Sequence, residues 1–324
     1  MKIVRELGGE HSDCLMAYVD FDSAALQFTE DVVLFWGYQT PFNKELINQY
    51  KDHKHKILYQ HEHPSGLHSP NDEENVKHMG LAEPFDVVYS NCPNSVEWLN
   101  STHYKSKKYK LGSFLLNEKY IPTGEVEKVK DVCYWGNVFM EKTNVIKDIV
   151  ESISNFNYQF FTLLTDGNVP FARKYATGIS LPRKTLWEEI RKCKIMVVQN
   201  LLYLSPPEIE AVKRLPNWET HKSFNNLNLN IIPQIKTRGF EAAFNKTLML
   251  VKKDPWNFIE HWFEPGVDFV YYENEETLKS TIEDILNNWE EYTPIIENAF
   301  KKAVSKYTTQ AFIKKVVKLT LIKK

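Results

Sequence analysis

Short apolar runs rich in β-branched and aromatic residues alternate along the chain with longer stretches of helical period. The first series is KIVREL (2–7), DVVLFWG (31–37), KILYQHE (56–62) and FDVVYSN (85–91). The second is VCYWGNV (132–138), YQFFTLL (158–164), KIMVVQN (194–200), LNIIP (229–233), TLMLVK (247–252) and DFVYYE (268–273). Between them RKTLWEEIRKC (183–193) sets Leu186 and Ile190 on one helix face. NEETLKSTIEDILNNWEEY (274–292) reads as one amphipathic helix with Leu278, Ile282, Ile285 and Trp289 inward. Strands alternating with helices predict βαβ units and parallel sheets. The pattern lapses over NEKYIPTGEVEKVKD (117–131), where Pro122, Gly124 and dense charge read as a linker. The expectation is an α/β chain of two Rossmann-like, doubly wound domains, at 1–122 and 132–290, joined by a linker at 123–131. Helices in 291–324 are expected to pack back on the N-terminal domain.

Composition supports that size. The chain has 324 residues, 43% hydrophobic, 25% charged and 13% aromatic, enough for two domains with real cores. Net charge is −2, so the total does not mark a general nucleic-acid binder. Basic patches occur locally, at KSKKYK (105–110) and in a tail, 301–324, with eight lysines and no acid. Cys14, Cys92, Cys133 and Cys193 form no CxxC pair and no zinc spacing, which suits reduced thiols. No apolar run reaches the roughly 18 residues of a membrane helix, and the N-terminus has no secretory pattern. The expected location is the cytoplasm, that of the host cell for a viral protein.

Chemistry is sought at the carboxyl ends of the strands, where parallel sheets hold their ligands. Gly8, Gly9, His61, Glu62 and Asn91 fall there in the first series, and Gly136, Asn137 and Asn200 in the second. NIIPQIKTRGFEAAF (230–244) reads as strand, loop and helix. A helix start offers unpaired N–H groups and a partial positive charge. Gly239 permits close approach, and Lys236 and Arg238 add full charges suited to a diphosphate. Glu241, placed in the first helical turn, can accept both hydroxyls of a ribose. The plain alternative is an exposed Lys/Arg pair with a Glu complementing the helix dipole. Arg173 and Lys174 are further phosphate candidates. In ILYQHEHP (57–64), His61 and Glu62 could serve as acceptor-side base and carboxylate; surface histidines or a metal site are the competing readings. Nothing specifies a metal, so the expectation is metal-independent chemistry with no cofactor beyond a co-substrate.

The block from Lys236 to Leu286 resembles the donor half of group-1 GT-B glycosyltransferases. The matching pieces are Arg238, Phe240, Glu241, FEPGVDFVYY (263–272) and Glu276–Thr277–Leu278. The resemblance extends over about 132–290. It implies a GT-B fold and transfer of a sugar from a nucleotide diphosphate sugar, a UDP-sugar first of all, with Lys236, Arg238 and Glu241 on the donor; Gly9 resembles the glycine loop such enzymes set near the diphosphate, and Gly136, Asn137, Arg173 and Asn200 are donor candidates by position. Many retaining members carry two glutamates eight positions apart, and here the earlier position is Pro233, with Gln234 beside it. This leaves the stereochemical course open. YQHEH (59–63) also resembles a stretch of the phage DNA α-glucosyltransferases. That likeness implies His61 and Glu62 as the central pair and a hydroxymethylated pyrimidine in phage DNA as acceptor; a glycan hydroxyl is the alternative. A non-catalytic or epimerase-like nucleotide-sugar binder is the reading of another class.

Overall fold

The structure is a computed structural model that describes residues 2–5, 32–36, 44–60, 83–101, 105, 107–138, 143–163 and 169–314. The chain divides into two units. The first comprises residues 1–115, 201–235 and 312–324, and the second residues 116–200 and 236–311.

The first unit is built on a parallel sheet of β1 (Lys2–Arg5), β2 (Val32–Trp36), β3 (His55–Gln60), β4 (Val87–Ser90) and β5 (Tyr109–Leu111), paired in that order. Val32–Phe35 and Ile57–Tyr59 are buried without interruption, as expected of strands covered on both faces. Helices α1 (Lys44–Asn48) and α2 (Pro93–Leu99) follow strands. Proline at the start of α2 costs no hydrogen bond, and Cys92 caps it by accepting from the Ser95 N–H at 3.4 Å.

Residues 201–235 also belong here, although LNIIP reads in sequence as a strand of the second domain. β10 (Leu201–Tyr203) pairs antiparallel with β11 (Ile231–Pro233), and α6 (Pro206–Lys213) lies between them in the chain. Leu202, Val212, Phe224 and Ile232 share one core with Val33, Phe35, Leu58 and Val88 of the sheet. The apolar side chains of this excursion thus find their partners in the first unit. Phe312 does the same, packing edge-on to Tyr59 and Tyr89.

The second unit holds a six-stranded parallel sheet. Its order is β13 (Val270–Tyr272), β12 (Leu248–Lys252), β9 (Cys193–Val198), β6 (Lys130–Trp135), β7 (Tyr158–Thr162) and β8 (Gly178–Ile179). Helices α3 (Thr143–Ile153), α4 (Val169–Tyr175), α5 (Arg183–Arg191), α7 (Thr237–Phe244), α8 (Glu275–Asn287) and α9 (Trp289–Lys306) complete it. Leu278, Ile282 and Ile285 are buried, as the helical spacing requires, against Ile146, Ile149 and Ile153 and the sheet. The single helix expected over 274–292 is two: the chain leaves helical geometry at Asn288 (φ −118°, ψ 32°), after the weak helix formers Asn287 and Asn288. The segment expected as a linker packs within this unit, where Arg191 Nη2 donates to the carbonyl of Tyr120.

The order of this sheet fixes a switch point. From β6 the chain moves outward to β7 and β8, then returns to lay β9 on the other side of β6. The crevice beyond the carboxyl ends of β6 and β9 is where such sheets bind ligands.

Candidate functional site

The chain leaves β6 through Gly136 and Asn137, and β9 through Gln199 and Asn200. Helix α7 begins against both turns. The Lys236 N–H donates to Asn200 Oδ1 at 3.1 Å, and a Cβ on Gly136 would lie 2.6 Å from Arg238 Nη2. Only a glycine lets the guanidinium come that close. Ala242 and Ala243 favour the helix, while Phe240 and Phe244, four apart, bury one face of it. Its N-cap, Lys236, is extended (φ −110°, ψ 150°), and its side chain makes no capping bond. The first turn therefore presents backbone donors and a partial positive charge toward the crevice.

Arg238 is placed by aromatic faces. Its guanidinium lies 5.2 Å from the Tyr134 ring centre and 4.9 Å from that of Trp135. Among the described residues no carboxylate lies within ion-pairing distance of it, and its Nε is buried without a hydrogen-bond partner. Asn137 Oδ1, Gln199 Oε1 and Asn200 Nδ2 are buried and unpartnered as well. A buried polar atom left unpaired costs about 1–3 kcal/mol. Of these four around one switch point, Arg238 Nε and Asn200 Nδ2 are donors suited to anionic oxygens, and Asn137 Oδ1 and Gln199 Oε1 are acceptors suited to a ligand's O–H or N–H groups.

Glu241 departs from its expected place. α7 starts at Thr237, so Glu241 falls one turn along the helix and not in the first turn. It is fully buried. Oε2 accepts from Trp135 Nε1 at 2.7 Å and from Thr237 Oγ1 at 3.4 Å; Oε1 accepts from Trp187 Nε1 at 3.1 Å and Arg183 Nη1 at 3.3 Å. With those donors around it, the carboxylate presents no oxygen surface to ribose hydroxyls in this structure. It binds Arg183, whose guanidinium stacks on Trp135 at 4.9 Å. Arg183, Trp135 and Trp187 were not singled out in the sequence. The available signal was their position, at a strand end and on the first turns of a helix.

The other expected residues are not gathered here. Arg173 is exposed on α4, and no described hydrogen bond or ion pair links it to Arg238 or Lys236. Asn91 follows β4 in the first unit, buried, with Oδ1 unpartnered. Gly9, His61 and Glu62 lie outside the described residues. Among the described residues no three His, Cys, Asp or Glu side chains converge as a metal site, and no helix is long and apolar enough to cross a membrane.

Residues 182–318 match the family described as glycosyl transferase-like, a span that contains Arg183, Trp187, Arg238 and Glu241. Known structures align over nearly the whole chain. HepE of Anabaena in complex with UDP superposes with a TM-score of 0.64 at 10% identity, covering 99% of this chain and 92% of that one. Sucrose-phosphate synthase of Thermosynechococcus elongatus gives 0.61 at 10% identity, covering 94% and 76%. Residues 182–318 thus form a glycosyl transferase-like domain, and the fold is GT-B. A glycosyltransferase of Rickettsia africae gives 0.57 at 11% identity, covering 98% and 88%. No curated protein matches the sequence. Both units are built on Rossmann-like parallel sheets, and the matched span carries α7 with Arg183, Trp187, Arg238 and Glu241.

Proposed function

We propose that the protein is a glycosyltransferase that moves a sugar from a nucleotide diphosphate sugar, a UDP-sugar, to an acceptor hydroxyl. The observation that carries this is the start of α7, without a side-chain cap, set beside an Arg238 that has no carboxylate within ion-pairing distance among the described residues. HepE, which shares the fold, is seen with UDP and with UDP-glucose. Lys236, Arg238 and the α7 N–H groups would hold the diphosphate. Gly136 gives Arg238 room, and Asn137 and Asn200 contribute polar contacts. In the transfer the bond from the anomeric carbon to the diphosphate oxygen breaks, and a bond from that carbon to the acceptor oxygen forms. The acceptor proton leaves to a base, and the nucleoside diphosphate departs carrying the charge. Cations aimed at the departing diphosphate lower the barrier, since that is where negative charge develops. Two side-chain cations and a helix dipole supply this, so the proposed reaction is independent of metal.

For the acceptor we take the hydroxymethyl group of a pyrimidine in phage DNA, with His61 and Glu62 on the acceptor side; this part rests on the sequence alone. Exposed Lys105, Lys107 and Lys110 on the first unit support it as backbone contacts. The first test is a thermal-shift series with UDP, GDP, dTDP and ADP. A selective rise with UDP supports the donor, because a ligand of the folded state raises its melting temperature. No rise with any of them refutes the site. The matching UDP-sugar is then offered with hydroxymethylcytosine DNA and with simple glycans. Transfer to the glycan alone refutes the DNA acceptor and leaves the donor reading standing.

A further inference from the structure

A second concavity lies at the other end of the second unit's sheet. Its volume is about 420 Å³, and its lining includes Lys128, Arg191, Asn245, Lys246, Trp289 and Glu290. Lys128 precedes β6, Arg191 closes α5 just before β9, and Asn245 and Lys246 precede β12. These are the amino ends of β6, β9 and β12, and it is the opposite, carboxyl ends of β6 and β9 that carry the proposed donor cluster.

The charges inside are held by neutral groups. Lys128 Nζ donates to the Arg191 carbonyl at 2.8 Å and to Thr247 Oγ1 at 3.3 Å. Arg191 Nε donates to Asn245 Oδ1 at 2.6 Å. Among the described residues neither cation has a carboxylate within ion-pairing distance, whereas Lys246 is paired with Glu297 at 2.7 Å. Burial pushes the Lys128 ammonium down to about 8, the mark of a cation short of compensating charge. Glu125 and Glu290 are exposed at the rim, and Trp289 adds an aromatic wall. Such an arrangement suits a ligand with an anionic head for Lys128 and Arg191, hydroxyls for the rim carboxylates and a ring face for the indole.

We infer that this cavity binds an acidic sugar, one carrying a phosphate or a carboxylate, at a site separate from the donor site. The test uses glucose 6-phosphate and glucuronate as probes, with glucose as the neutral control. It is run on the full chain with saturating UDP, and again in Arg238→Ala, so that donor-site binding is read apart. The expected result is a rise in melting temperature with one or both acids and none with glucose. Which acid acts tells phosphate from carboxylate. At least a tenfold loss of affinity is expected in Lys128→Met and in Arg191→Gln. Should those variants not fold, the acid should still change the fluorescence of the unmodified protein, and Trp289→Phe should lose that change. No response to either acid, an equal response to glucose, or an affinity untouched in both cation variants overturns the inference. A failure of UDP to bind would count against the donor site and not against this one.

Discussion

A single methyl group at Gly136 tests the donor site sharply. The added Cβ would sit 2.6 Å from Arg238 Nη2 and 2.9 Å from the Tyr134 hydroxyl. Both atoms are the far ends of side chains, and Gly136 is not among the glycines with positive φ, so the backbone accepts alanine. The guanidinium must retreat by roughly 1 Å to reach ordinary contact distance. The fold should be nearly indifferent. Removing a glycine stabilises by about 0.4–1 kcal/mol through the unfolded chain, which offsets a local clash of similar size. Donor binding should suffer. A hydrogen bond to a charged group contributes about 1.5–3 kcal/mol, so losing the Arg238–phosphate contact should weaken UDP binding by about 10–150-fold. Isothermal titration with UDP measures the loss, and a urea melt checks the fold. Arg238→Ala should lose about as much, and the double variant Gly136→Ala/Arg238→Ala little more, because both act on one contact. Undiminished UDP affinity in a folded Gly136→Ala protein, or losses that add in the double variant, would refute the placement of Arg238 on the diphosphate.

Three further outcomes follow from named contacts. Glu241→Gln leaves Arg183 without its buried partner and sets an amide donor among indole donors; urea unfolding should show a loss of about 3 kcal/mol, and an unchanged stability with a tenfold loss of UDP binding would restore the ribose role. His221 is buried with Nδ1 accepting from the Ser223 N–H, and burial holds its imidazole down at about 3. Its neutral form belongs to the fold, so its contribution is complete above the unfolded value near 6.5 and is lost as pH falls below it. At pH 5 the unfolded chain is favoured by about 2 kcal/mol from this group; the wild type should lose that much more than His221→Gln between pH 7.5 and 5, and equal losses would disprove it. Transfer activity should survive excess chelator, and its abolition would show that the diphosphate needs a metal.

The strands were legible because they are covered on both faces, which leaves an unbroken apolar signature: the run from Val32 to Phe35 is at most 2% exposed. β8 and β10, two and three residues long, carry too few positions to stand out. The excursion at 201–235 has a strand-like run of its own, but pattern alone does not say which sheet it serves, and its antiparallel partner is equally short. That Gly136, Asn137, Asn200, Lys236 and Arg238 come together could be read in the sequence because topology places residues at strand ends and helix starts. The ring of donors on Glu241 could not, because Arg183, Trp187 and Trp135 lie 58, 54 and 106 residues away in the chain. A carboxylate next to a helix start reads as solvent-facing until its tertiary partners are known.

Those partners explain why, among the described residues, Arg183 is paired with a carboxylate and Arg238 is not. Arg183 and Arg238 each stack on Trp135, with guanidinium carbons 4.9 Å from the ring centre. Two guanidinium groups on one indole repel each other, and the repulsion is strong where water is scarce. Glu241 neutralises one of them, taking Arg183 in an ion pair and the Trp135 N–H in a hydrogen bond. The indole is thereby fixed in orientation, and the second arginine rests on a held surface. Arg238 can then be positioned by π-faces, which orient a guanidinium without occupying its N–H donors. An arginine positioned by a carboxylate would have to exchange that partner for each phosphate. One positioned by rings has no such exchange to make. At the proposed donor site the buried glutamate would thus act two contacts away from the anion, a role opposite to that of a carboxylate facing the ligand.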